Sequence, residues 1–355
     1  LRNFEPSTEG GYRRIEGYTK WDDAQVTGTA ATVRGIVEYR LFAIAAVGDG
    51  LYRSTGSGWT EITDNATFSS SGINISGSGK VRFAKHHFGS DKILIIVDGN
   101  AKPYKFDGTT FSQITTATSD QEGAQHVVAH KNHLFFAKDT TLSFSAPFSD
   151  TDFTAASGAG TIEFDNEITG LASFRENLIV FTKRTIFLIA GNSIADFQVQ
   201  PVTRDIGAIE PDTVREVGGD LMFLGPDGLR LLSATERNND FGLAVVSKVI
   251  QPEMIDFISQ STSYSSVVIR EKSQYRIFGF NTSYTDDAAK GIIGTQYAQQ
   301  GGQGMAWAET RGINAYVAHS EYISDQELIL FANDDGYVYR MESGNSFDGD
   351  NIVAT

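Results

Sequence analysis

Apolar runs of four to seven residues recur along the chain, each broken by a polar turn and followed by a shorter, aromatic-rich run. Leu41–Val47 turns at Asp49-Gly50 into Leu51-Tyr52-Arg53, and Ile93–Val97 turns at Asp98-Gly99 ahead of Pro103–Phe106. Leu134–Ala137 turns at Asp139-Thr140 into Leu142–Phe144, and Leu178–Phe181 turns at Lys183-Arg184 into Ile186–Ile189. The mark returns at Leu221–Leu224 with Asp227-Gly228 and at Leu328–Phe331 with Asp335-Gly336. Between those two, Tyr275–Phe278 leads through the polar loop 281–290 to Ile292–Thr295. The seven units lie roughly 40–55 residues apart, a period that belongs to solenoids, propellers and arrays.

Runs of this length are strands, too short for helices. Asp-Gly supplies positive φ at both central residues of a type I′ turn, so each unit reads as an antiparallel hairpin. Unit one shows four pieces, Val33–Tyr39, Leu41–Val47, Gly50–Ser54 and Gly58–Thr63. Unit two repeats them as Val81–Phe88, Lys92–Val97, Lys102–Phe106 and Thr110–Thr115. The second piece is the most apolar, as befits a strand flanked on both edges and covered on both faces. The expected fold is all-β, a β-propeller of about seven four-stranded antiparallel blades, with six as the alternative count. Ile44, Ile95, Phe135, Val180, Phe223, Phe278 and Leu330 are the expected blade centres. Residues 1–32 read as an N-terminal arm or belt, and 33–355 carry the propeller. A propeller must join its first and last blades or leave two open edges, so the arm or the 345–355 tail is expected to lend a strand. Val245–Ser259 is the helix candidate, with Pro252 expected to interrupt it early.

Composition narrows the functions. The 355 residues are 40% apolar, enough for a multi-blade core, and the 36 glycines suit many tight turns. The absence of Cys excludes disulfides, thiolate metal sites and cysteine nucleophiles. No apolar stretch reaches the ~18 residues of a membrane span, and no membrane partner is expected. Leu1–Glu5 shows no signal-peptide pattern. The missing initiator Met, and an end at Asp350–Thr355 that reads as a strand beginning, predict a longer gene product. The net charge of −15 argues against tight DNA or RNA binding, which draws on a basic surface. It suits a conduit that DNA slides through, and equally plain solubility.

The arm gathers Tyr12, Arg13, Arg14, Tyr18 and Trp21. Arg and aromatic residues are favoured at interfaces, so these five are candidate partner contacts; a belt packed on its own propeller would use them as well. Other candidates fail on spacing. Gly77-Ser78-Gly79-Lys80 is no phosphate loop, because Asn74 stands where the first Gly belongs and Val81 where Ser or Thr belongs. His126, His130 and His133 fall on a strand and turn without an acidic partner at metal-site spacing, and His86-His87 point to opposite faces. Asn333–Glu342 has the Gly and Glu of a calcium loop but Phe331 at the first ligand position. Ser57 lacks the spacing of a nucleophile elbow, and the carboxylate pairs Asp22-Asp23 and Asp286-Asp287 are merely adjacent. Ser54–Trp59 approaches a sialidase turn but lacks its Asp, and Asp107-Gly108 stands alone. No catalytic residue, cofactor or metal is expected, and no enzyme.

Three stretches carry a family resemblance. Glu9-Gly10-Gly11-Tyr12-Arg13-Arg14-Ile15-Glu16-Gly17-Tyr18 is the first. Asp205-Ile206-Gly207-Ala208-Ile209 with Val217–Leu229 is the second, and Ser343–Gly349 the third. They resemble the tail nozzle (tail hub, tubular tail) proteins of short-tailed bacteriophages. The resemblance covers about a quarter of the chain and the repeat covers the rest. It implies a structural virion subunit made in the host cytoplasm, six copies in a homo-oligomeric ring around the tail axis. Its implied partners are the adaptor ring, the tail fibre proteins and genomic DNA that passes through without tight binding. It brings no catalytic residues. Family members run on into further strands and a platform domain, whereas this sequence stops at Thr355. The alternatives are a propeller lectin or host-receptor-binding module and a propeller hydrolase. A lectin repeats an aromatic sugar contact in several blades, and Trp occurs only at 21, 59 and 307.

Overall fold

Every apolar run of the sequence is the second strand of an antiparallel sheet, and seven such sheets are arranged as a seven-bladed β-propeller. This structure, a computed structural model, describes residues 1–7, 10–89, 91–233, 245–283, 288–299, 302–323 and 325–355. In chain order the blades begin with Val33–Tyr39, Phe42–Val47, Gly50–Ser54 and Thr60–Glu61. The second has Arg82–His86, Ile93–Val97, Tyr104–Phe106 and Phe111–Gln113; the third, His126–His130, His133–Lys138, Thr141–Phe144 and Gly160–Glu163. Blade four has Ile168–Phe174, Asn177–Thr182, Ile186–Ala190 and Gln198–Thr203. Among the described residues blade five has three strands, Arg215–Val217, Asp220–Gly225 and Gly228–Leu231. Ser263–Ile269, Gln274–Phe280, Lys290–Gln299 and Gly302–Arg311 form blade six. Blade seven opens with Val317–Ile323, Gln326–Ala332 and Val338–Met341.

The chain divides into two compact units, residues 1–41, 54–59 and 212–355 in one and residues 42–53 and 60–211 in the other. In the second unit the centres of blades two and three are each covered by their own sheet and the next. Phe135 faces Val128 and Phe144 in its ladders and packs with Ile168, Leu178, Val180 and Ile189. Ile95 and Val97 pack with Leu134 and Phe136. In the first unit Met222, Leu224 and Leu229 pack with Tyr275, Ile277 and Ile292, while Phe278 and Ile293 pack with Ile329 and Phe331. All seven expected centres are buried, none more than 1% exposed.

The turns differ from the expectation. Type I′ geometry needs positive φ at two successive residues, and the Asp-Gly sites have it at one, as at Gly99 and Gly336. Blade one has it at Gly48, before the Asp. At two of these Asp-Gly turns the Asp works through its side chain. Asp98 Oδ1 accepts from the N–H groups of Asn100 and Ala101, and Asp107 Oδ1 from those of Thr109 and Thr110. Paired positive φ occurs at Gly218-Gly219, which joins the first two strands of blade five.

The helix candidate is realised as α1, Gln251–Gln260, after a 3₁₀ turn at Lys248–Ile250. Pro252 does not interrupt it. It lies in the first turn, where its missing N–H breaks no helical hydrogen bond. Met254 and Phe257 face the core of blades five and six, and Ile255 is exposed.

Phe223 fills the middle of blade five and is fully buried. Phe223→Ala should cost about 3–5 kcal/mol in urea unfolding, the usual loss for a buried Phe, and a loss below ~1 kcal/mol would contradict that placement.

Candidate functional site

The arm is built from three short strands, β1 (Phe4–Pro6), β2 (Tyr12–Arg14) and β3 (Tyr18–Lys20). β1 and β2 form an antiparallel hairpin with Phe4 opposite Arg14, Glu5 opposite Arg13 and Pro6 opposite Tyr12. β1 lies along the last strand of blade six. Asn3 anchors it from a left-handed backbone conformation (φ 56°) that Asn tolerates better than most residues. Its N–H donates to the Glu309 carbonyl at 2.9 Å and its Nδ2 to the Val353 carbonyl at 2.9 Å. Its Oδ1 accepts from Thr310 Oγ1 and the Arg311 N–H.

β3 is a propeller strand. It pairs antiparallel with Val338–Met341, Tyr18 opposite Met341 and Lys20 opposite Tyr339, and so completes blade seven with residues from the opposite end of the sequence. Ser346–Phe347 and Asp350–Asn351 extend the same sheet beyond it. The strand expected from one terminus thus comes from the arm. Gly17 makes the approach possible, because a Cβ there would stand 1.9 Å from the Ser346 carbonyl oxygen. The first and third resemblance stretches therefore touch each other. Gly207, in the second, has the same reason: its Cβ would meet the Thr182 carbonyl oxygen at 1.8 Å.

Beneath the hairpin lies a cluster of six charges. Glu5, fully buried, accepts from Arg13 Nε at 2.6 Å and Lys272 Nζ at 2.9 Å on one oxygen and from Arg276 Nη2 at 2.6 Å on the other. Lys272 also pairs with Glu16 at 3.2 Å and with Glu342. Arg276, 1% exposed, places Nη1 2.8 Å from Glu342 in an ion pair off the hydrogen-bond line, and it donates to Gln274. Burial alone would raise the Glu5 carboxyl pKa, but Arg276, Lys272 and Arg13 outweigh it and hold the group below its ordinary value.

The five candidate residues fall in different places. Tyr12, Arg13 and Arg14 are all exposed on β2, and Arg13 reaches back to Glu5. Tyr18 packs inward, its ring stacked on Phe347 and edge-on to Phe331 and Tyr339 at 5.0–5.2 Å, with its hydroxyl donating to the Gly312 carbonyl. Trp21 is half-buried, and its indole N–H finds no acceptor among the described residues. Next to it Asp22 accepts from Ser54 Oγ and the Gly58 N–H, both at 2.6 Å. The Ser54–Trp59 turn thus receives from the arm the carboxylate that its own sequence lacks.

Glu342 belongs to the charge cluster. His133 lies between the carbonyls of Ser145 and Asn192, and burial, with Lys131 and His133 nearby, pushes the His130 pKa down to about 4. Glu9 and the Asp286-Asp287 pair lie outside the described residues. Sequence reasoning missed Glu5, Lys272, Arg276 and Glu342 as a group. The one available signal was Arg276, a charge in the middle of a second strand whose counterparts are apolar in the other blades.

A family model for phage stabilisation, described as Bacteriophage P22 Gp10, beta-propeller, matches residues 5–234, well over half of the chain. The chain belongs to this family. It is a P22 Gp10-like phage stabilisation protein, a tail-associated virion component of a structural family. Comparison with curated proteins gives no match. Among solved structures, one of the mitotic checkpoint complex is 12% identical with a TM-score of 0.56, covering 95% of this chain and 96% of that one. The AfRom2 CNH domain is 9% identical with a TM-score of 0.53, covering 93% and 100%. An ancestral GH74 enzyme is 9% identical with a TM-score of 0.59, covering 99% of this chain and 54% of that one. These likenesses show the fold alone.

Glu5→Ala would leave Arg276 buried without its main carboxylate partner, and should cost about 3–5 kcal/mol. The pH dependence follows from the lowered pKa. Glu5 stabilises the fold in full above its ordinary value of 4.5, and that contribution fades as the pH falls from there towards the lower folded value. The gap in melting temperature between wild type and Glu5→Gln should therefore narrow in acid. A gap that stays constant down to about pH 3 would contradict the assignment.

Proposed function

We propose that the chain is a subunit of a phage tail nozzle, assembled in six copies around the DNA exit channel and docked to the adaptor ring and tail fibre proteins. The family match over residues 5–234 carries this reading. Two features support it. β2 presents Tyr12, Arg13 and Arg14 to solvent on a hairpin anchored by buried charges, a rigid way to offer a partner contact. Tyr18 and Trp21 serve the same interface from behind, by fixing β3 in blade seven. The net charge of −15 is the second feature, since a conduit must let duplex DNA pass without holding its phosphates.

Electron microscopy of the virion tests the assembly: a six-fold ring of this chain at the tail tip is expected, and its absence from the tail would end the nozzle reading. Fluorescence anisotropy tests the conduit. No binding to duplex DNA is expected near physiological salt, and a Kd tighter than about 10⁻⁶ M would instead make the protein an anchor for DNA.

A further inference from the structure

The outer edge of β2 is an open strand edge carrying an unneutralised cation. In the β1–β2 ladder Ser7 N–H donates to the Gly11 carbonyl and Ile15 N–H to the Asn3 carbonyl, with Glu5 and Arg13 paired between them. Antiparallel pairing alternates, so the N–H and C=O groups of Tyr12 and Arg14 point away from β1. Among the described residues no backbone group pairs with them. Tyr12 and Arg14 share the face opposite Arg13, and both side chains are exposed.

The charges nearby decide what this edge accepts. Glu5, Glu16 and Glu342 balance Arg13, Lys272 and Arg276. Arg14 is left over, without an ion pair among the described residues, on a chain of net charge −15. A cation on an open edge guards it against neutral and basic strands. The same cation favours a strand that brings a carboxylate opposite it.

We propose that the outer edge of β2 takes up an extended acidic segment of a partner protein by strand addition. The outward groups of Tyr12 and Arg14 bond the added backbone, Arg14 pairs with a carboxylate of the segment, and the Tyr12 ring covers a neighbouring apolar side chain. The proposal rests on the reading of the arm as an interface and gives that interface its mode and its charge.

The test uses the full chain and a fluorescein-labelled octapeptide of alternating Glu and Val, with the Lys–Val peptide as control. Arg14→Pro removes the guanidinium and, from the backbone, only an outward N–H, which an edge strand tolerates, and leaves the β1 ladder whole. Arg14→Glu keeps the backbone and reverses the charge, so it decides the matter if the Pro variant melts early. The acidic peptide should bind the wild type, and each variant should weaken it at least about tenfold at unchanged melting temperature. The Lys–Val peptide should not bind. Equal binding by a well-folded Arg14→Pro, equal binding of both peptides, or no binding of the acidic one would each overturn the proposal. Self-association that Arg14→Pro abolishes would assign the edge to a second copy of the chain and overturn it too. A wild-type six-fold ring that forms but does not bind the acidic peptide would remove the proposal and leave the nozzle reading standing.

Discussion

The pairing of β3 with Val338–Met341 is the contact on which the blade-seven end of the structure depends. Without it that strand would expose a row of unpaired N–H and C=O groups. The pairing brings together residues 18–20 and 338–341, so it must overcome the entropy of closing a loop of nearly the whole chain. Three ladder positions are little to set against that. The rest comes from what surrounds them: Tyr18 among Phe331, Tyr339 and Phe347, Gly17 seated on the 343–346 turn, and Asp22 capping the Ser54–Trp59 turn.

The charge cluster has a different task. Taking ions out of water costs several kcal/mol each, and an apolar set of equal volume often does as well for stability. What apolar residues would not do is fix the register of β1. A slip by one residue would turn Glu5 to the opposite face and deprive buried Arg276 of its Glu5 partner. Glu5 therefore works as a register pin. It places the hairpin, and with it the exposed face of β2, in one position.

The blades were legible because each carries its own signal. An apolar second strand is a local property of the sequence, and all seven centres, Ile44 to Leu330, are buried where that property put them. Asp-Gly was legible as a turn and misread in mechanism, because Asp98 and Asp107 act by accepting backbone N–H groups, which dipeptide statistics do not distinguish from positive φ. Pro252 was misread because its effect depends on whether a helix has already begun. The arm's interior was not legible. Glu5 and Arg276 are 271 residues apart, and no spacing rule connects a charge in the arm to one in blade six. Tyr18 was grouped with Tyr12 by composition. Only the fold separates a ring packed in blade seven from one left in water.

The two sides of β2 follow from one alternation. Its odd position, Arg13, exposed itself, sends its guanidinium to buried Glu5; its even positions, Tyr12 and Arg14, lie on the opposite face with their backbone groups at the outer edge. The tighter the inner side is held, the less an outer partner must spend on ordering the strand it meets, since the edge is already extended when the partner arrives. Exposed arginine and tyrosine on a free loop would lose side-chain and backbone entropy on binding. On β2 the backbone share has been lost in folding, to contacts with blades six and seven that the arm needs anyway. β3 of the arm completes blade seven, and under the proposed docking role strand geometry lets β2 hold Glu5 through Arg13 while leaving Tyr12 and Arg14 on the other face for a partner.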